Sequence, residues 1–213
     1  MRNLFLKFSL TIFVAINVIA CGETKPSFHA TDITGATIGE NLAQNFKLSD
    51  ADGKPRTFSE FKGKVVVVFF GFTHCPDVCP TTLSDFAAAI KKVAEKNPDA
   101  AKKVQVLFVT LDPARDTGEV LKGYVSAFSP DPNYPAFLGL RGDDAATLAA
   151  AKAFKVYFAK NMSADGKNYS LDHTAASYVF DAAGNIRLYV KHGQSPDLIA
   201  ADLKTLLASV KAK

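Results

Sequence analysis

The chain has 213 residues, 48% of them hydrophobic and 22% charged, with a net charge of +4 at pH 7. That length is enough for one compact domain with a sizeable core. The positive excess is small and its lysines and arginines form no run long enough for a basic patch, so a nucleic-acid partner is excluded.

The chain opens with Arg2 and Lys7, an apolar stretch from Phe8 to Ile16, and then Val18-Ile19-Ala20-Cys21. A short basic segment followed by a short apolar one ending in small residues reads as a secretory signal. The uncharged stretch after Lys7 falls short of the roughly 20 apolar residues that span a bilayer. Cys21 directly after Val-Ile-Ala resembles the bacterial lipobox, in which cleavage leaves the cysteine as a lipidated first residue. The alternative is an uncleaved anchor with an incidental cysteine. More than one acyl chain on Cys21 would give stable attachment, and lipidation accounts for the odd cysteine of an exported protein. Residues 1–20 are therefore read as a lipoprotein signal peptide, 21–27 as a tether and 28–213 as the folded domain. Without residues 1–20 the balance is 23 basic against 21 acidic residues. The expected location is the extracytoplasmic face of a membrane, the periplasmic side in a Gram-negative cell.

In the folded part, Phe46-Lys47-Leu48 and Arg56-Thr57-Phe58 flank a DADGK turn and predict a small N-terminal β-hairpin. Lys64 to Phe70 is a continuous apolar run rich in β-branched residues, the pattern of a strand buried on both faces. After the segment FTHCPDVCPTT, Leu83, Phe86, Ala87, Ile90, Val93 and Ala94 are spaced as one face of a helix that stops near Asn97-Pro98. Val104 to Leu111 predicts a second buried strand. Gly118 to Phe128 predicts a helix, Phe137 to Leu140 a short strand, and Asp144 to Phe154 an Ala-rich helix. Ser177–Phe180 and Ile186–Val190 flank a glycine-containing turn. Ser195-Pro196-Asp197 starts a last helix, with Ile199, Leu203, Leu206, Leu207 and Val210 as its buried stripe. Strands alternating with helices predict an α/β sheet covered on both faces. A cysteine pair at the carboxyl end of a central strand, just before a helix, narrows this to a thioredoxin-like central sheet with flanking helices.

Cys75 and Cys79 each precede a proline, which disfavours helical backbone angles at both. Pro80 suits the first helical position, which puts Cys79 at the cap, where the helix dipole and free N–H groups favour thiolate. A permanent structural disulfide is a weak reading, because so short a loop removes little entropy from the unfolded chain. A thiol–disulfide couple and a soft-metal site both remain open. Of the four histidines, His74 adjoins Cys75 but points the opposite way in an extended segment. His29 and His192 read as solvated or capping groups. His173 lies just before a predicted strand, in a loop that a thioredoxin-like sheet would pass beside the cysteines. Two thiolates and one imidazole suit Cu(I) and, with added oxygen or water, Cu(II). Structural zinc wants four protein ligands, and no fourth stands out. Asp77 and Asp172 read as turn residues or as groups that orient ligands.

GFTHCPDVCPTTL, VTLDPARDT, YVSAFSP…FLGLRG and LDHTAASYVFDAAGNI resemble the Sco (SenC) family, the copper proteins of cytochrome oxidase assembly. The resemblance runs from about Phe46 to the C-terminal helix with all blocks in family order. It implies a thioredoxin-like fold in which Cys75, Cys79 and His173 bind copper. It further implies an exported, membrane-held protein that delivers copper to the CuA centre of cytochrome c oxidase subunit II or to another copper acceptor protein. Other periplasmic copper carriers or thiol reductants are further expected partners. Some family members are assigned to thiol–disulfide exchange, so Cys75 and Cys79 can also be read as a redox-active pair that keeps the acceptor's cysteines reduced. Two features favour metal handling. Three residues separate the cysteines where ordinary thioredoxins have two, and His173-Thr174 occupies the loop where those proteins carry a cis-proline. The segment SPDPNYPAFLGL departs from the family pattern by extra residues, far in sequence from the three ligands.

Overall fold

The computed structural model describes residues 26–38, 46–129 and 131–208; the predicted signal peptide, Cys21 and Val210 lie outside them. Among the described residues no helix is long and apolar enough to cross a membrane. In chain order the strands are β1 (Thr31–Asp32), β2 (Leu48–Asp50), β3 (Pro55–Arg56), β4 (Val65–Gly71), β5 (Val104–Thr110), β6 (Leu138–Arg141), β7 (Phe158–Met162), β8 (Tyr169–His173), β9 (Ala176–Phe180) and β10 (Ile186–Lys191). The helices are α1 (Val78–Ala94), the single turn α2 (Pro98–Ala101), α3 (Gly118–Phe128), α4 (Asp144–Ala153) and α5 (Pro196–Ala208).

Every residue of β4 and β5 is buried. Their β-branched and aromatic side chains suit a pleated surface covered on both sides. The two strands run parallel, from Val65 opposite Val104 to Gly71 opposite Thr110. An eight-stranded sheet spreads from this pair in the order β1-β10-β9-β4-β5-β6-β2-β3. Successive residues of β4 serve opposite faces. Phe70 packs on Phe154, just past α4, at a centroid distance of 5.0 Å, while Phe69 meets Phe108 at 6.0 Å and His173 at 6.1 Å. Helix α1 packs along α5, and α3 against β6. This is the expected thioredoxin-like α/β arrangement, with the cysteine loop between the end of β4 and the start of α1.

The predicted N-terminal hairpin forms, with Leu48 opposite Arg56. Strand β2 also pairs with β6, so the hairpin extends the main sheet. Two features differ from expectation. Helix α1 starts at Val78 with Asp77 at its cap, two residues before Pro80. A proline is tolerated through the first helical turn, because its missing N–H has no intrahelical partner there. The second feature is the β7–β8 hairpin, a separate two-stranded sheet that carries His173 at its end.

Candidate metal centre

The earlier start of α1 decides how the two thiols differ. Cys79 lies inside the first turn and is fully buried, whereas Cys75 lies in the loop and is partly exposed. The Cys79 N–H is one of the donors that a helix start leaves free, and it points at Cys75 Sγ at 3.3 Å. The helix end therefore acts on Cys75, contrary to the expectation that placed Cys79 at the cap. Cys75 is lowered to about 5 by the Cys79 thiol, against the opposing effect of burial, with help from the N–H groups of Cys79 and Asp77 and from His173. Cys79 is pushed up by sharing its proton with the Cys75 thiolate and by burial. Both cysteines are free thiols.

His173 ends β8 opposite Phe158. Its Nδ1 lies 3.1 Å from the Thr174 carbonyl, which can only accept, so Nδ1 carries the proton and Nε2 is left with a free lone pair. Nε2 lies 3.5 Å from Cys79 Sγ, across 94 positions of sequence. The ring stands edge-on between Phe69, at 6.1 Å, and Phe72, at 5.9 Å. Cys75 Sγ, Cys79 Sγ and a His173 ring nitrogen all lie within 4.8 Å of one another. Metal–sulfur and metal–nitrogen bonds of about 2.0–2.3 Å place trigonal donors ~3.5–4 Å apart. The three atoms can close on one ion by shifts of a few tenths of an ångström to about 1 Å, and the donor set of two sulfurs and one imidazole suits copper.

The other candidates stay outside this cluster. The His74 side chain is 52% exposed, with Nδ1 turned to Thr73 Oγ1 at 3.2 Å. His192 Nδ1 meets Thr82 Oγ1 at 3.1 Å, and the His29 N–H donates to Asp202 at 2.8 Å. Asp77 accepts from Thr81 at 3.2 Å in the first turn of α1, and Asp172 is exposed.

Behind the cluster stands a polar frame built on Asp112 and Asp116. Asp116, fully buried, accepts from the Thr73 N–H at 3.1 Å and the Thr73 hydroxyl at 2.6 Å, and from the Thr110 hydroxyl. Asp112, 1% exposed, accepts from Arg115 and from the Tyr169 hydroxyl. The signal was present in DPARDT, two acids and an arginine at the carboxyl end of a buried strand, the end at which α/β sheets carry their sites.

A family model described as SCO1/SenC matches residues 34–208. The chain belongs to the SCO1/SenC family. It is 32% identical over 174 residues to the mitochondrial SCO2 homolog of Mus musculus, a match covering 82% of this chain and 64% of that one. It is 39% identical over 144 residues to the mitochondrial SCO2 of Saccharomyces cerevisiae, covering 67% of this chain and 45% of the yeast protein. The chain thus spans between about half and two thirds of the length of these two relatives. The copper-bound structure of Bradyrhizobium japonicum ScoI aligns with a TM-score of 0.63 and 38% identity, over 74% of this chain and 94% of that one. The SCO1/SenC match covers all three residues of the cluster and the polar frame behind them.

Proposed function

We propose that this SCO1/SenC protein carries copper on Cys75, Cys79 and His173. Its acceptor is the CuA centre of cytochrome c oxidase subunit II or another copper protein. The observation that carries this reading is the imidazole aimed at the thiols, with Nε2 3.5 Å from Cys79 Sγ. A similar protein, Bradyrhizobium ScoI, has been solved with copper bound, which supports the choice of cargo. Cys75, ionised at neutral pH, meets the ion first; Cys79 gives up its proton and becomes the second sulfur ligand; His173 completes the set. Release follows by ligand exchange to thiolates of the acceptor. Because binding needs deprotonated thiols, it weakens on acidification. Lipidated Cys21 and the tether to residue 27 would hold the domain of residues 28–213 on the extracytoplasmic face of a membrane. That part of the proposal rests on the basic–apolar–small pattern before Cys21.

Titration of the reduced protein with Cu(II) tests the site. The expected result is one copper per chain and a sulfur-to-copper charge-transfer band, with His173→Ala weakening binding sharply and altering the band. No band in the intact protein, or an unchanged band in the variant, refutes the reading.

The thiols also favour a second reading, a thiol–disulfide reductase that keeps the acceptor's cysteines reduced. An exposed thiolate in front of a buried protonated thiol is the order needed for an attacking and a resolving cysteine. Cells carrying His173→Ala distinguish the two. Under copper carriage the acceptor loses its metal in both His173→Ala and Cys79→Ser strains; under reduction it loses it only in the second.

A further inference from the structure

His173 stands on an element outside the main sheet, separated from β9 by two residues. Among the described residues, strands β7 and β8 pair only with each other. At the base of this hairpin the Thr174 N–H donates to the Tyr157 carbonyl at 3.0 Å, and the Tyr157 N–H to Thr174 Oγ1 at 3.1 Å. Both bonds close the hairpin on itself, and two residues after His173 the Ala175 carbonyl accepts from the His192 N–H at 3.1 Å, which ties the hairpin's base to the end of β10. A second polar tie to the core lies four residues before His173, at the far end of β8. The Tyr169 hydroxyl donates to Asp112 Oδ1 at 2.8 Å, Arg115 Nη1 donates to the Tyr169 carbonyl at 2.9 Å, and the guanidinium lies 3.7 Å from the Tyr169 ring centroid. Arg115 also pairs with the second oxygen of Asp112, so both partners of Tyr169 are themselves locked. Alternate residues of a strand share a face, so Tyr169, Leu171 and His173 point the same way. Leu171 is buried at 4% exposure, which identifies that face as the one against the core.

The loop that grips Tyr169 also grips the cysteine segment. Asp116, one residue after Arg115, holds the N–H and hydroxyl of Thr73, two residues before Cys75. One short loop after β5 therefore references both the sulfur pair and the hairpin that brings the nitrogen.

We infer that Tyr169, held by Asp112 and Arg115, is a positioning residue that fixes the far end of β8 and so helps keep His173 over the cysteine pair. This rests on the three-ligand copper reading and adds to it a residue that touches none of the ligands. A charge-assisted bond and a guanidinium stacked on an aromatic ring, both partly buried, are strong enough to bias the hairpin toward one tilt. Tyr169→Phe removes the hydroxyl bond while keeping the ring under Arg115.

The test compares reduced, metal-free protein with and without Tyr169→Phe by NMR. The expected result is weakening or loss of the proton contacts from the His173 ring to Phe69 and Phe72, with the rest of the spectrum retained. In copper titrations the variant should bind about 10- to 100-fold more weakly, the range typical of groups that orient a metal ligand. The double variant Tyr169→Phe/His173→Ala should bind no more weakly than His173→Ala alone, because the tyrosine acts through the histidine. Retained ring contacts, or copper penalties that simply add, overturn the inference. If Tyr169→Phe fails to fold, Arg115→Lys, which keeps the charge and loses the bond to the Tyr169 carbonyl, is read by the same contacts and the same cycle. The ring contacts are measured without metal, so they judge the positioning role even if wild-type protein bound no copper, a result that would sink only the copper reading.

Discussion

Replacing Gly71 with alanine would place a methyl group 2.7 Å from Cys79 Sγ, and 2.9 and 3.2 Å from Cε2 and Cζ of Phe108. Favourable contacts between such atoms lie near 3.5–4.0 Å, so neighbours must move by about 1 Å. Cys79 and Phe108 are both fully buried, one on the first turn of α1 and the other in β5, so a shift of either disturbs packed neighbours. Overpacking of this kind costs about 1–3 kcal/mol. For a domain of this size that lowers Tm by roughly 2–4 °C per kcal/mol. If Cys79 takes up half of a ~2 kcal/mol strain, copper affinity falls by roughly fivefold. Thermal melting of the metal-free protein and a copper titration against a competing chelator read the two effects. Gly123→Ala is the contrast: nothing lies within 4 Å of its added methyl, and alanine in the middle of α3 should add about 0.5–1 kcal/mol without touching copper binding. A Gly71→Ala protein that melts within a degree of wild type and binds copper equally well would refute the argument that Cys79 is held by close packing.

The thiol asymmetry is open to alkylation. Of the two site thiols, iodoacetamide should modify Cys75 and spare Cys79 in the folded, reduced protein, with a rate that falls only as pH drops through about 5. The sign follows from a folded value below the free thiol's ~8.5, which leaves Cys75 ionised across neutral pH. A midpoint near 8, or equal labelling of Cys79, contradicts the assignment. Buried Asp202 on α5 accepts from the backbone N–H groups of His29 and Ala30, each at 2.8 Å, and from Gln194 at 3.3 Å. Asp202→Ala leaves these donors without a partner, at about 1–3 kcal/mol for one that stays buried. Limited proteolysis should then cut ahead of β1 while copper affinity is unchanged; a protease-resistant variant of wild-type Tm would show that the segment at His29 and Ala30 does not depend on this carboxylate.

What the sequence shows of this fold follows from how each element is held. Strands β4 and β5 are visible because burial on both faces demands an unbroken apolar run. Helix α3 is visible because both its ends are local: Thr117 caps Val120, and the chain leaves the helix at Ser129. Strands β7 and β8 escape notice because FAKNM and YSLDH place few apolar residues inward and leave most others in solvent. The two cysteines and His173 stand out as residue types with few structural uses in those contexts. Their supports do not, because the bonds from Thr73 to Asp116 and from Tyr169 to Asp112 span 43 and 57 positions. DPARDT marks one side of this frame, but no local pattern says that Thr73 and Tyr169 are its partners, and threonine and tyrosine have many ordinary roles.

The two-residue shift in the start of α1 matters more than its size suggests. With Cys79 at the cap, the free N–H groups would have ionised the buried sulfur. With Cys79 in the second helical position, its own N–H serves Cys75, and the negative charge sits on the sulfur that faces solvent. The buried sulfur keeps its proton against an imidazole whose Nε2 is free to accept it. An arriving cation thus meets charge at the mouth of the site, and the proton that must leave is the inner one. Within the copper proposal, capture is then controlled by Cys79 giving up that proton; His173 Nε2 is its nearest acceptor and must pass it on to solvent before the same nitrogen can serve as the third ligand.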